Sequence, residues 1–448
     1  MRFSWIIGFL ILFRIVFYIC FVGFDGEYLE EDSGYYLRLT HVLRDHHVFS
    51  QSEQPPFSPQ IFRTPGYPAF LAFLHELGMG NPYWAAFWQE LIYGLSVFLF
   101  YRYGKPFFSE KLIRAGVIYL LLEPGGLSIP KMILSETLFL PFFFAGLFAI
   151  GHYLRFANWR YLALSGAVMG IGAYIRPAIL FFPAIATLTL LAFAFQGRKR
   201  WLHITVFLIT FTAIISPWLL RNYYYFGKLV MSGQQSNMLA NYHVPVVWES
   251  ALGVPFWTGH AQVKALVKEA AKEKAKVLQR QLNTVEVLEV EQQFALTELK
   301  KYPWHYLKQW CYGIMKTMNG ANLLGIYHAF NYQVERLRFF DVEALDFKKK
   351  VFTFLINQDY FYIFEALLRV LISFFALCGV IWIIIKKDCF LFVMMLANFY
   401  FICTPGPMGY ARFRFPVEVF WFIQAYFGFF GMRSILLNRR HPKPRNIV

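Results

Sequence analysis

Long apolar runs set the first pattern along this chain. They lie near residues 5–24, 83–101, 115–130, 134–154, 161–175, 178–195, 201–220, 361–385, 389–404 and 412–432. A helix crossing the hydrocarbon core of a bilayer needs about 20 mostly apolar residues. The pattern therefore predicts an all-α polytopic membrane protein, a bundle of about ten transmembrane helices with helical loops on one side. The shorter runs also fit tilted or re-entrant helices. Met1–Phe24 has a long apolar stretch but no small-residue cleavage site, so it is expected to remain as the first span.

The short polar intervals carry the orientation. Arg102, Lys105, Lys111 and Arg114 separate the second and third runs, and Arg155 and Arg160 follow the fourth. Arg198, Lys199 and Arg200 follow the sixth, Lys386 and Lys387 the eighth, and the tail holds Arg433, Arg439, Arg440, Lys443 and Arg445. With the N-terminus cytoplasmic, all of these clusters fall on the cytoplasmic side, as basic loops prefer. Two long intervals, 25–82 and 221–360, then face outward. The expected organisation is a catalytic module of about seven spans over 1–220, an outward loop region over 221–360, and C-terminal spans with a basic tail over 361–448. Within the loop region Ala261–Lys301 is rich in lysine and has Val263, Leu266, Val267 and Ala270 at helical spacing. Asn283 with Glu286 three residues later reads as the cap of a second helix, ended by Pro303. A solvated helical hairpin and an arm for lipid phosphates both fit this stretch. No internal repeat is evident, which weighs against an inverted-repeat transporter.

Composition agrees with the pattern: 57% of residues are hydrophobic and only 16% are charged. The net charge of +16 comes without a basic groove on a polar fold, so anionic lipid or a phosphate-bearing substrate suits it better than nucleic acid. The five cysteines have no paired spacing and are expected to be small buried hydrophobes, neither a disulfide frame nor a metal site.

Polar residues at the outer ends of the runs are where chemistry is expected. Glu30-Glu31-Asp32-Ser33-Gly34-Tyr35-Tyr36 follows the first run; it fits a solvated loop, a helix start before Tyr36–Leu43, or a general base. Arg63-Thr64-Pro65-Gly66-Tyr67-Pro68 makes a stiff turn before a helix over Ala69–Leu77; Arg63 suits a headgroup or a substrate phosphate. Glu123-Pro124, Ser128, Pro130, Lys131 and Ser135-Glu136 gather between the third and fourth runs. Arg176 lies in the tight turn Tyr174-Ile175-Arg176-Pro177. Pro217-Trp218-Leu219-Leu220-Arg221-Asn222-Tyr223 follows the seventh run, and Arg412 and Arg414 open the tenth. Arginines on the outer side run against the usual bias, and an anionic phosphate there would compensate them.

In order and placement these motifs resemble the GT-C superfamily of polyprenyl-phosphate-sugar-dependent glycosyltransferases. The branch that fits best contains protein O-mannosyltransferases, lipid A aminoarabinose transferases and bacterial RgtA/B/C/D-like enzymes. The carriers are Glu31-Asp32 with Tyr36, Arg63 through Pro68, Ser135-Glu136 before Leu138-Phe139, Gly172 through Pro177, and Pro217-Trp218 with Arg221-Asn222-Tyr223 and Phe226-Gly227, continued by Ser232 and Asn237. The resemblance implies one inverting displacement at the anomeric carbon. It makes Asp32 the general base, with Glu31 the other candidate, because many relatives have Asp-Glu where this chain has Glu31-Asp32. Arg176, Arg221, Arg412, Arg414 and Arg63 become candidates for the donor phosphate. Glu123, Glu136, Tyr36, Asn222 and Tyr67 become candidates for the sugar or the acceptor. No cofactor is implied with certainty; a divalent cation is used by some relatives and not by others. The implied partners are a polyprenyl-phosphate sugar and a glycan, lipid or protein acceptor, at the outer face of a bacterial inner membrane. The alternative is a transporter or flippase of lipid-linked sugars, which would place its essential charges near the bilayer midplane.

Overall fold

The computed structural model describes residues 3–21, 31–50, 52–193, 198–322, 353 and 360–440. Among them no strand forms, and a single isolated bridge joins Ser50 to Pro59. The N-terminal helices are α1 (Phe3–Phe21), α2 (Glu31–His46), α3 (Gly66–Glu76), α4 (Pro82–Gly104), α5 (Glu110–Leu122) and α6 (Pro124–Ser128). Next come α7 (Glu136–Phe156), α8 (Trp159–Ile175), α9 (Phe182–Phe193) and α10 (Arg198–Phe226). Then follow α11 (Gln234–Met238), α12 (Val244–Leu252), α13 (Phe256–Val277), α14 (Thr284–Lys301) and α15 (Pro303–Asn319), and after them α16 (Tyr360–Lys386), α17 (Cys389–Cys403) and α18 (Glu418–Arg440).

Every apolar run is helical over most of its length, but among the described residues fewer than ten helices have the length and apolarity to cross a membrane. Among the described residues Glu136–Phe156, Lys199–Phe226, Tyr360–Lys386 and Ala411–Arg433 do, and a fifth span results if Glu110–Leu122 and Pro124–Lys131 count as one. That pair replaces the continuous run expected over 115–130. Pro124 lacks the amide that would continue the α5 ladder, and the two halves meet at 51°. Trp5–Val16, Pro177–Ala192 and Cys389–Cys403 are apolar but shorter. The seventh run also extends further than expected, so Arg221 and Asn222 lie inside α10. The four cysteines with described side chains are not the buried hydrophobes expected: Cys311 is exposed, and Cys378, Cys389 and Cys403 are only partly covered, while the Cys20 side chain lies outside the described residues.

Close approach between helices follows from glycine spacing. Gly166 and Gly170 of α8 are four apart, so they share a face. A Cβ at Gly166 would strike the Phe207 carbonyl of α10, and one at Gly170 would lie 2.7 Å from the Ile214 Cβ. Without a hydrophobic force between helices in lipid, such small-residue contacts supply much of the association. The core behind them is aromatic: Phe100 of α4, Phe143, Phe144 and Phe148 of α7 and Phe420 of α18 are all buried in one cluster, with Phe144 and Phe420 ring centres 5.2 Å apart.

Helices α12 to α14 have a smaller core of their own, including Val244, Val247, Val263, Val267, Ala295 and Leu299. The expected hairpin is α13 and α14. Asn283 caps α14 through a complete capping box with Glu286.

Candidate active site

The first turn of α2 carries Asp32, and Tyr36 lies one turn later on the same side. Glu31 begins the helix, but its side chain lies outside the described residues. The segment that faces this turn is the stiff Arg63-Thr64-Pro65-Gly66. A Cβ at Gly66 would come within 2.6 Å of the Tyr174 carbonyl oxygen at the end of α8, so glycine permits the loop to dock on Tyr174-Ile175-Arg176. Two motifs far apart in sequence are joined this way.

The charged side chains then form one continuous chain of contacts. Arg63 donates to one oxygen of Asp32. Arg412 Nη2 donates to the other, Oδ2, at 2.6 Å. Arg412 Nε lies 3.8 Å from Glu136 Oε1, and Arg176 Nη1 pairs with that same oxygen at 2.5 Å. Aromatic rings floor the cluster: the Arg63 guanidinium sits 5.1 Å from the Tyr36 ring centre, and Arg176 and Arg412 lie 5.9 and 5.6 Å from that of Phe413. Tyr36 reaches Ser135 Oγ at 3.3 Å, next to Glu136 in the first turn of α7, where an acid suits the helix dipole. The five groups are largely buried; Asp32 and Arg412, with side chains 24% and 22% exposed, are the most open to an entering ligand. Burial alone would push the Asp32 carboxyl up, but the guanidiniums of Arg412 and then Arg63 outweigh it and hold the carboxyl below its usual range.

The other expected residues lie elsewhere. Tyr67 is buried behind Tyr36, ring centres 4.7 Å apart, and its hydroxyl donates to Gln89 at 2.7 Å. Arg221 donates to the Gln60 carbonyl at 2.7 Å and the Phe49 carbonyl at 3.3 Å, and lies against Trp218 and Tyr225. Asn222 is fully buried and donates to Val230 O at 2.7 Å. Both side chains hold loop backbone in place. Arg414 is fully enclosed: it donates to Glu418 Oε2 at 2.6 Å, to Met318 O at 2.6 Å and to Thr317 O. A phosphate would have to replace those partners to reach it. Glu123 caps α6, accepting from Gly125 and Gly126, and pairs with Arg369 at 2.6 Å.

Sequence reading missed that last partner. Arg369 also meets Glu418 and, at 3.4 Å, Glu365, so three buried acids and two buried arginines, Arg369 and Arg414, tie together α5, α6, α16 and α18. The signal was present: Glu365 and Arg369, and Arg414 and Glu418, are each four apart in apolar surroundings, a spacing that pairs charges on one helix face. Arg14 and Glu90 form a further buried pair at 2.9 Å between α1 and α4. Gln234, which accepts from Arg63 at 3.3 Å, was also missed.

Among the described side chains around Asp32, three guanidiniums face two carboxylates. Such a cluster suits an anion, and arginine forks match phosphate oxygens. A divalent cation fits less well. Among the described residues no three His, Cys, Asp or Glu side chains gather to hold one, and both acids here are already paired to arginine.

Residues 62–220 match the family model described as "Dolichyl-phosphate-mannose-protein mannosyltransferase", a stretch that includes Arg63, Glu136 and Arg176. Among solved structures the chain is similar to the archaeal oligosaccharyltransferase AglB from Archaeoglobus fulgidus in complex with an inhibitory peptide and a dolichol-phosphate. That match has a TM-score of 0.50 at 11% identity and covers 99% of this chain and 53% of that one. The likeness is one of fold. A second similar structure is the oligosaccharyltransferase of Archaeoglobus fulgidus in the apo form, with a TM-score of 0.47 and 11% identity over 98% of this chain and 52% of that one. The chain spans about half the length of the solved structures it resembles. No curated protein matches it. The arginine cluster lies where α2, the Arg63 loop, the start of α7 and the start of the apolar stretch Ala411–Arg433 meet.

Proposed function

We propose that the chain is an inverting glycosyltransferase that moves a monosaccharide from a polyprenyl phosphate to an acceptor hydroxyl at the outer face of the membrane. The observation that carries this reading is the contact chain Arg63–Asp32–Arg412–Glu136–Arg176, in which three guanidiniums meet two carboxylates among the described side chains. The family match, whose description names a dolichyl-phosphate mannose donor, supports the same donor class. So does the dolichol-phosphate bound to AglB.

In this mechanism the donor phosphate enters between Arg412 and Arg63 and takes over guanidinium contacts now made by Asp32. Asp32, released from its two partners, regains basicity and a free oxygen. It removes the proton from the acceptor hydroxyl as that oxygen bonds to the anomeric carbon from the face opposite the phosphate. The bond between the anomeric carbon and the phosphate oxygen breaks, and its electron pair leaves with the polyprenyl phosphate. Negative charge grows on that phosphate during the step, and fixed guanidiniums stabilise it most at the transition state. Glu136 holds Arg176 and the Arg412 Nε in place. We place both termini in the cytoplasm of a bacterial inner membrane, on the distribution of basic loops.

The test is incubation of the purified full chain, in detergent with lipid, with synthetic polyprenyl-phosphate sugars. Polyprenyl phosphate should be released in the presence of acceptor, and D32N should slow this by about 100-fold or more, the scale of a lost general base. Release that persists unchanged in D32N removes the proposed base; transbilayer movement of the lipid without release favours a flippase.

A further inference from the structure

Glu291 of α14 stands apart from the other buried acids because it is only half satisfied. The residue is 9% exposed. Its Oε1 accepts from the side-chain amides of Asn237 and Asn241, each at 3.4 Å. Its Oε2 is buried and has no hydrogen-bond partner among the described residues. Burial pushes the carboxyl up, against the opposing effect of the two amides and of Lys264. Leaving a buried acceptor unmade costs about 1–3 kcal/mol, more when it is charged, and the neighbouring core positions Val290 and Ala295 are apolar. Packing alone gives no reason for a carboxylate here.

Its placement gives one. Gln234 opens α11 and accepts from Arg63, while Asn237, one turn later, reaches Glu291. On the facing helix, Leu288 packs with Ile61 in a small apolar cluster, close enough to Gly233 that a Cβ there would strike it. Glu291 follows Leu288 by one turn. Asn237 thus follows Gln234, and Glu291 follows Leu288, by three residues along its own helix, and Asn241 lies four residues past Asn237. The chain between α11 and α12 is wound as a π-helix over Leu239–His243, with Asn241 inside it. Such turns are uncommon and occur often at functional sites.

We propose that Glu291, Asn237 and Asn241 form a subsite for the hydroxyl groups of a neutral pyranose, the sugar of the lipid-linked donor. The carboxylate Oε2 accepts from one hydroxyl, and the carboxamides bind its neighbours, while the phosphate is held by Arg63 and Arg412. This assignment rests on the donor-phosphate reading of the Asp32 cluster. It makes Glu291 a specificity-determining residue for the sugar and leaves the phosphate contacts untouched.

The experiment measures equilibrium binding to the purified full chain of polyprenyl phosphate and of polyprenyl-phosphate mannose, glucose and galactose. It compares the parent protein with E291Q, which keeps the size and one acceptor oxygen, and with N237A. For at least one hexose the parent should bind the sugar-bearing lipid about tenfold or more tightly than the bare phosphate, the scale of a hydrogen bond to a charged group. In E291Q and N237A that ratio should fall towards one, with affinity for bare polyprenyl phosphate unchanged. If bare polyprenyl phosphate binds but the ratio is the same in all three proteins, the sugar subsite is overturned and the phosphate site stands. If E291Q weakens bare and sugar-bearing lipid equally, its role is structural and the subsite is again overturned. If polyprenyl phosphate does not bind the parent at all, the donor reading fails and this proposal fails with it.

Discussion

Asp32 has both oxygens occupied by arginines, and a carboxylate held so is a poor base. Its low pKa is a property of the donor-free protein, and the sign of its effect on stability follows. A carboxyl whose folded pKa is depressed contributes stability above its unfolded value, about 3.9, and that contribution is lost as pH falls through the folded value. D32N leaves the Arg63 and Arg412 contacts to Asp32 unpaired in a largely buried place, a change that costs roughly 3 kcal/mol when a buried pair is broken. The stability gap between parent and D32N should therefore be widest near neutral pH and narrow below about pH 4. Thermal unfolding in detergent across that range reads it; a gap that widens as pH falls contradicts the pairing. The pairing itself was only half visible in the sequence. Arg412 stands out there as an outward-facing arginine, but nothing in the residue order says that it meets an acid 380 positions away.

At the scale of elements, the cluster depends on helix ends held in fixed relation. Arg412 sits in the short 3-10 segment Ala411–Val417, and the far end of that segment is anchored by Arg414, enclosed by Glu418 and the last carbonyls of α15. Arg369 holds Glu418 and Glu123 from the α16 side. Two arginines that look alike in sequence, two residues apart, thus face different tasks. Arg414 is paired with Glu418 four residues later and is enclosed, whereas Arg412 reaches Asp32. The spacing was readable; the inward direction needed the neighbouring helices. R369M should leave Glu123, Glu365 and Glu418 with too little positive charge and destabilise the bundle by about 3–5 kcal/mol. A sharp drop in the thermal unfolding midpoint checks this, and an unchanged midpoint would show that the acids are satisfied without Arg369.

For the whole molecule, apolar periodicity was the most legible feature, because a bilayer permits few backbone solutions besides helices. The break between α5 and α6 was the harder part. Pro124 signals it locally, but Glu123 serves both as the cap of α6 and as the partner of Arg369, a contact made only in the assembled bundle. The proposed orientation puts the α13–α14 hairpin outside the cell. Lys272 is exposed on α13, so K272C in a background without native cysteines should react with a membrane-impermeant maleimide added to intact cells. Reaction only after permeabilisation would reverse the topology. With that orientation, Asp32, Arg63, Arg176 and Arg412 meet at the outer headgroup layer, where a lipid-borne phosphate lies.

Binding of bare polyprenyl phosphate to the parent, D32N and R412A tests that convergence most directly. If Asp32 occupies the arginines until the phosphate arrives, D32N should bind polyprenyl phosphate at least as tightly as the parent while failing to turn over the sugar-bearing lipid, and R412A should bind it about tenfold or more weakly. Equal binding by R412A and the parent, or a loss in D32N as large as that in R412A, would contradict a phosphate site built on the Asp32 cluster.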